Sequence, residues 1–166
     1  MQREYLGSTK NGFKVYIDPE RSHAITHFAH QPKLREAVEK IIPTLEDGPE
    51  MIRIEQNMGE VIGTTDLIET TDHDEIVYAM RPRRMVYSRF VKNKQPRPFS
   101  WITLAMRKTK NNEYAVYTAF VGRNTPSFPG GNYLPEQSKD FWSNHALVYE
   151  VQDIEPGSET SVCPWD

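Results

Sequence analysis

The stretch Ser100–Gly122, SWITLAMRKTKNNEYAVYTAFVG, decides the fold class. SWITLAMRKT and EYAVYTAFVG are runs rich in β-branched and aromatic residues, the composition that suits a pleated, half-buried surface. Between them stands Lys110-Asn111-Asn112, and asparagines accept the backbone conformations of a tight hairpin turn, so the two runs are expected as antiparallel neighbours. On the N-terminal side MIRIEQ, EVIGTTDLIET, DEIVYAMR and MVYSRFVK read as further strands, with EDGPE a turn ahead of them. Earlier still, GFKVYI alternates apolar and polar residues as a first strand, ended by Asp18-Pro19. SHAITHFAH, with Ser22 as its N-cap, and KLREAVEKII, between Pro32 and Pro43, read as two short helices. C-terminal to the hairpin, PSFPGGNYLP is a loop and PEQSKDFWSNHALVYE reads as one late helix opened by Pro135. The expectation is an α+β fold, in which N-terminal helices pack on a mostly antiparallel twisted sheet with one late helix. It spans residues 1–150 as a single domain, and 151–166 (VQDIEPGSETSVCPWD) is an acidic, loosely ordered tail.

The chain has 166 residues, of which 37% are apolar and 26% charged. That is enough core material for a folded domain, while the mean hydropathy of -0.67 and the lack of a long apolar run argue against a spanning helix. The start MQREYLGSTK has no apolar signal-peptide region, so a soluble, cytoplasmic protein without membrane association is expected. A lone cysteine, Cys163, rules out an intrachain disulfide and a thiolate zinc site. The sequence carries no phosphate-binding glycine loop, dinucleotide fingerprint, GxSxG elbow or CxxC pair, which disfavours nucleotide-driven, redox and common hydrolase chemistry.

Net charge is only -3, but it is unevenly spread. Between Ile76 and Asn112 lie Arg81, Arg83, Arg84, Arg89, Lys92, Lys94, Arg97, Arg107, Lys108 and Lys110, with no acidic residue. All 23 acidic residues therefore fall elsewhere, a division that favours a polyanionic partner. Arg84, Arg89, Lys92 and Arg107 are the phosphate-contact candidates from this block. The tail's Asp153, Glu155 and Glu159 prompt the further expectation that it folds back over the block as an internal shield.

His23, His27 and His30 fall at about 0°, 40° and -20° around a helix of 3.6 residues per turn, a single stripe opposite Ala24, Ile25, Phe28 and Ala29. Imidazoles so arranged suit proton transfer near neutral pH, or metal binding as a His23, His27, His30 set, or an ordinary solvated face. The helix lacks the glutamate of an HExxH zinc helix. Thr118 introduces a hydroxyl into the row Val116, Thr118, Phe120. Ser100 is a second hydroxyl candidate, and His145 in FWSNHALVY reads as a hydrogen-bonded residue at a helix–sheet junction.

Taken together, VYIDPERSHAITHFAHQPKL, MVYSRFVK, SWITLAMRK and VYTAFVG occur in an order that resembles the barnase, EndoU, colicin and RelE-like nucleases, especially their phage-associated and polymorphic-toxin branches. The resemblance implies RNA cleavage without metal or cofactor, with the ribose 2′-hydroxyl as nucleophile. It implies that His23 and His27 serve as acid and base, that Arg89 and Lys92 contact phosphate, and that Thr118 offers a hydroxyl at the sheet centre. It also implies RNA as substrate and a cognate inhibitor or immunity protein as partner. Two other readings follow from the residues: a non-catalytic protein that binds nucleic acid or an acidic partner through its basic sheet, and a histidine-based metal protein.

Overall fold

The computed structural model describes residues 3–20, 22, 24–82, 84, 86–110, 112–130 and 134–165. Strands β1 (Glu4–Ser8) and β2 (Lys14–Ile17) form an antiparallel hairpin. The first of these has no counterpart in the sequence reading, because Gly7, at φ 141°, breaks the alternation and shifts the register between Tyr5 and Gly7. Helix α1 (Ala24–His30) follows, with Ser22 Oγ accepting the N–H of Ala24 at 3.2 Å, as expected of an N-cap residue. Helix α2 (Pro32–Ile41) starts on its proline and buries Leu34, Ala37, Val38 and Ile41, one stripe at helical spacing.

Strand β3 (Met51–Asn57) leads through β4 (Gly63–Thr65), β5 (Leu67–Glu69), β6 (Ile76–Met80), β7 (Tyr87–Val91) and β8 (Arg97–Phe99) to the long pair β9 (Trp101–Lys110) and β10 (Glu113–Val121). Helix α3 (Glu136–Asn144) runs directly into β11 (His145–Val148). The fold is α+β, but the single sheet of the sequence reading is replaced by several. A five-stranded sheet has the order β1-β2-β10-β9-β3, a four-stranded sheet the order β5-β11-β7-β6, and β4 pairs with β8. Two pairings, β2 with β10 and β7 with β11, are parallel.

The chain divides into two compact units, one made of 1–64 and 98–124 and the other of 65–97 and 125–166. In unit 1 the helices cover one face of the five-stranded sheet. Ala24, Phe28, Leu34, Val38 and Ile41 meet Val15, Ile17, Ile102, Leu104, Met106, Tyr114, Val116, Ala119 and Val121 in one apolar cluster. At the break between α1 and α2, Gln31 Oε1 accepts the N–H of Thr64 at 2.6 Å. A Cβ on Gly63 would lie 1.8 Å from that oxygen, so the close approach requires glycine.

Unit 2 builds its core from Val77, Ala79, Phe90 and Ile154, from Ile68, Val91, Ala146 and Val148, and from Phe128 stacked on Trp142 with ring centroids 3.8 Å apart, beside Trp165. The sequence read 135–150 as helix throughout, yet the chain turns to strand at His145. There Leu147 and Val148 pair with Phe90 and Val91, and sheet pairing overrides local helix propensity. The segment expected as a loose tail beyond residue 150 also joins this unit. Ile154, Ser158 and Trp165 are buried, and Tyr78 and Thr160 exchange two backbone hydrogen bonds of 2.8 Å. Its Glu159 lies 3.5 Å from Lys92. Among the described residues no helix is long and apolar enough to cross a membrane.

The β9–β10 turn is as narrow as the sequence suggested: Lys110 pairs with Glu113, and Asn112 has φ 63°. Asparagine tolerates this left-handed conformation and a β-branched residue does not. Asn112→Val should lower unfolding stability by about 1–2 kcal/mol, whereas Asn112→Gly should stay within roughly 0.5 kcal/mol of the parent in denaturant titration.

Candidate nucleic-acid interface

A single irregularity in β10 sets which side chains reach the helix-free face of unit 1. Between Val116, opposite Met106, and Thr118, opposite Ala105, the register shifts and Tyr117 is the extra residue. Side chains alternate across a strand, so one inserted residue reverses the parity beyond it. Tyr114 and Val116 are buried before the bulge, and Ala119 and Val121 after it. Thr118 and Phe120 consequently lie on the opposite face from Val116, which corrects the expected row Val116, Thr118, Phe120.

Cross-strand register identifies the other members of that face. Thr118 sits beside Ala105 and Arg53, Phe120 beside Thr103 and Glu55, Ala115 beside Arg107 and Met51, and Trp101 beside Asn57. Tyr16 joins them opposite Ala115, with Tyr5 beyond it. Three guanidinium groups stand over aromatic rings on this surface. Arg3 lies 4.1 Å from the Tyr16 ring centroid, Arg107 5.5 Å from that of Tyr117, and Arg123 4.1 Å from that of Trp101. Tyr117 is 38% exposed and Tyr5 53%, so flat aromatic surface is open to a partner.

Hydrogen bonds hold the centre of this array. Arg53 donates from Nε to Asn124 Oδ1 at 3.1 Å and from a terminal nitrogen to the Tyr117 hydroxyl at 3.4 Å, with a further contact to Asn124. The backbone N–H of Asn124 donates to Glu55 Oε2 at 2.6 Å, and Arg123 Nε lies 3.6 Å from the same oxygen. Arg53 and Arg107 thus meet neutral groups, an amide, a phenol and a ring face, and keep their positive charge available to an anion. Chemically the face offers cations for phosphate, rings for base stacking, and carboxylates, Glu55 beside Arg123 and Glu113 paired with Arg3.

The residues nominated from sequence fall in different places. His23 and Arg83 lie outside the described residues. His27 is half-buried on α1, whose Ala24 and Phe28 enter the core on the helix-covered side, while Thr118 lies on the other face, so the structure does not bring these two together. His30 is exposed at the end of α1, and half-buried Ser100 accepts the Met58 N–H through its carbonyl at 2.8 Å. Arg107 is on the open face.

Arg84, Arg89, Lys92 and His145 belong to unit 2, so the basic block does not form one surface of one unit. Arg89 is committed to the interior, with 8% of its surface exposed. It donates to Thr70 Oγ1 at 2.8 Å and to the His145 carbonyl at 2.9 Å, with Tyr78 Oη 3.3 Å from its Nε. It is therefore a structural tie rather than a surface phosphate ligand. Lys92 faces Glu159 and stands 4.8 Å from the Tyr149 ring centroid. His145 sits at the α3–β11 junction, its Nδ1 2.9 Å from the Phe141 carbonyl and its ring stacked on that of Phe141. Among the described residues no group of three or more His, Cys, Asp or Glu is arranged to hold a metal, and the described part of the histidine stripe is His27 and His30.

Arg53, Glu55, Trp101, Tyr117 and Arg123 were not singled out from sequence. The alternation Arg53-Ile54-Glu55 in MIRIEQN was a legible signal for two of them. No family model, curated protein or solved structure matches the chain.

Replacing Arg89 by Met keeps the length of the side chain but leaves the Thr70 hydroxyl and the His145 carbonyl without this donor. Equilibrium unfolding should show a loss of about 1–3 kcal/mol.

Proposed function

We propose that the protein acts on single-stranded RNA laid across the helix-free face of the five-stranded sheet, and that it cleaves the chain without a metal ion. The observation that carries this reading is the set of three guanidinium–aromatic stacks, Arg3 with Tyr16, Arg107 with Tyr117 and Arg123 with Trp101, with Glu55 beside Arg123. Aromatic planes take unstacked bases and arginines take the backbone, the combination that single-stranded recognition uses. The resemblance of the quoted segments to metal-independent nucleases supports the same substrate.

In this reading Glu55 removes the proton of the ribose 2′-hydroxyl, which attacks the neighbouring phosphorus. The charge that builds on the phosphorane oxygens is met by Arg53, Arg107 and Arg123. The 5′-oxygen leaves with a proton, and a 2′,3′-cyclic phosphate remains. That proton is drawn from water, because His27 stands on the helix-covered side of the sheet and not on this face. The placement of His27 and Thr118 on opposite sides of the sheet favours a second reading, in which the face binds RNA and performs no chemistry.

Purified protein incubated with total RNA in excess chelator separates these readings. Cleavage is expected, falling by about 10²–10⁴-fold in Glu55→Gln with RNA retention kept. Loss in a His23→Ala, His27→Ala double variant but not in Glu55→Gln would move the chemistry to the helix. Absence of cleavage with salt-sensitive retention would establish the binding reading. Arg53→Gln and Arg107→Gln should each reduce the slope of log affinity against log salt by about 0.7.

A further inference from the structure

Unit 2 holds a cationic feature of its own. The chain turns back on itself after Arg81, where the Arg84 N–H donates to the Arg81 carbonyl at 3.0 Å. Proline at the second position suits such a turn, and the turn places its first and fourth residues side by side. Arg81 and Arg84 both line a cleft of about 460 Å³, whose other walls are Val86, Thr125, Pro126, Ser127, Phe128 and Gly130. The chain comes so close at one end that a Cβ on Gly130 would lie 2.5 Å from the Val86 side chain.

Two observations describe what the cleft lacks. The Nε of Arg81 is buried and has no hydrogen-bond acceptor among the described residues. Burial lowers the pKa of the Arg81 guanidinium from its ordinary value, and the nearby Arg84 charge lowers it further, with Asp153 acting in the opposite sense. A buried donor without an acceptor and two like charges together are both unfavourable, and one ligand relieves both: an anion seated between the guanidiniums. Thr125 and Ser127 add hydroxyl donors on the same wall, while Pro126, Phe128 and Val86 offer apolar surface to a carbon-bearing group.

We propose that this cleft is a binding site for a phosphate monoester, with Arg81 and Arg84 holding the dianion and Pro126 and Phe128 facing its organic substituent. A carboxylate offers two coplanar oxygens, enough for one guanidinium fork. A terminal phosphate offers three oxygens in different planes and a charge near -2, which serves both forks. A phosphodiester inside an RNA strand carries a single charge and two substituents, so it fills the cleft less well. The sources of such a group are a small phosphorylated molecule, such as a mononucleotide, and the 5′-phosphate end of a nucleic acid.

Calorimetric titration with phenyl phosphate tests the site directly. Saturable binding at one site per chain is expected, weakened by about tenfold or more in Arg81→Gln and in Arg84→Gln and unchanged in Lys40→Gln, a surface change in unit 1. Arg84 is exposed, so its substitution keeps the test decisive even if Arg81→Gln impairs folding. Absence of saturable binding by the parent protein, or equal binding by Arg84→Gln, overturns the proposal. Adenosine 5′-monophosphate and a short oligoribonucleotide with and without a 5′-phosphate distinguish the sources. A gain in affinity conferred by the 5′-phosphate and abolished by Arg84→Gln assigns the chain end. Binding of the mononucleotide with no such gain assigns the small phosphorylated molecule.

Discussion

One extra residue in β10 governs the rest of unit 1. Without the bulge at Tyr117, the alternation that buries Tyr114 and Val116 would bury Thr118 and Phe120 next and turn Ala119 and Val121 outward. With it, the small Ala119 and the branched Val121 enter the core under α1 and α2, where there is room for them. Tyr117, Thr118 and Phe120 are released to the opposite face, where the Tyr117 ring lies under Arg107 and its hydroxyl near Arg53. The same local defect that lets the core close therefore creates the aromatic, cationic surface on which the functional reading rests.

The division of the chain into two units explains why charge counted along the sequence is a poor guide to charge in space. The ten basic residues between Ile76 and Asn112 look like one block, yet the boundary between units falls at residues 97 and 98. Arg107 stands on the open sheet of unit 1. In unit 2, Arg89 is buried as a tie between strands, Lys92 and Lys94 face Glu159 and Asp74, and Arg84 lines a cleft with Arg81. Conversely, Arg53 and Arg123 lie outside the block in sequence and join Arg107 on one face through strand pairing.

Much of the architecture was legible from local signals. The strands β3, β6, β7, β9 and β10, the tight turn before Glu113, the break between the helices at Pro32 and the α+β class all follow from alternation, helical spacing and turn chemistry, whereas β8 was not read and EVIGTTDLIET, read as one strand, is split into β4 and β5. What escaped has a common cause, because it depends on contacts distant in the chain. Strand β1 is defined by its pairing with β2, β11 by its pairing with β5 and β7, and the docking of residues 154–165 by the backbone of β6 and an aromatic cluster. The candidate site was less legible for the same reason. A bulge has no reliable sequence signature here, so Thr118 and Phe120 were placed on the face of Val116, and Glu55 was passed over although it lies two residues from Arg53 on the same strand face.

The central claim is that RNA meets unit 1 on the side of the sheet that the helices leave open. Ultraviolet cross-linking of a uniform single-stranded RNA to the whole protein, followed by mapping of the linked peptides, reads that side directly, because aromatic rings stacked on bases link most readily. Cross-links concentrated at Trp101, Tyr117 and Tyr16 are the predicted result. Cross-links confined to the helical segment 24–41 or to unit 2, with those three residues unmodified, would contradict it.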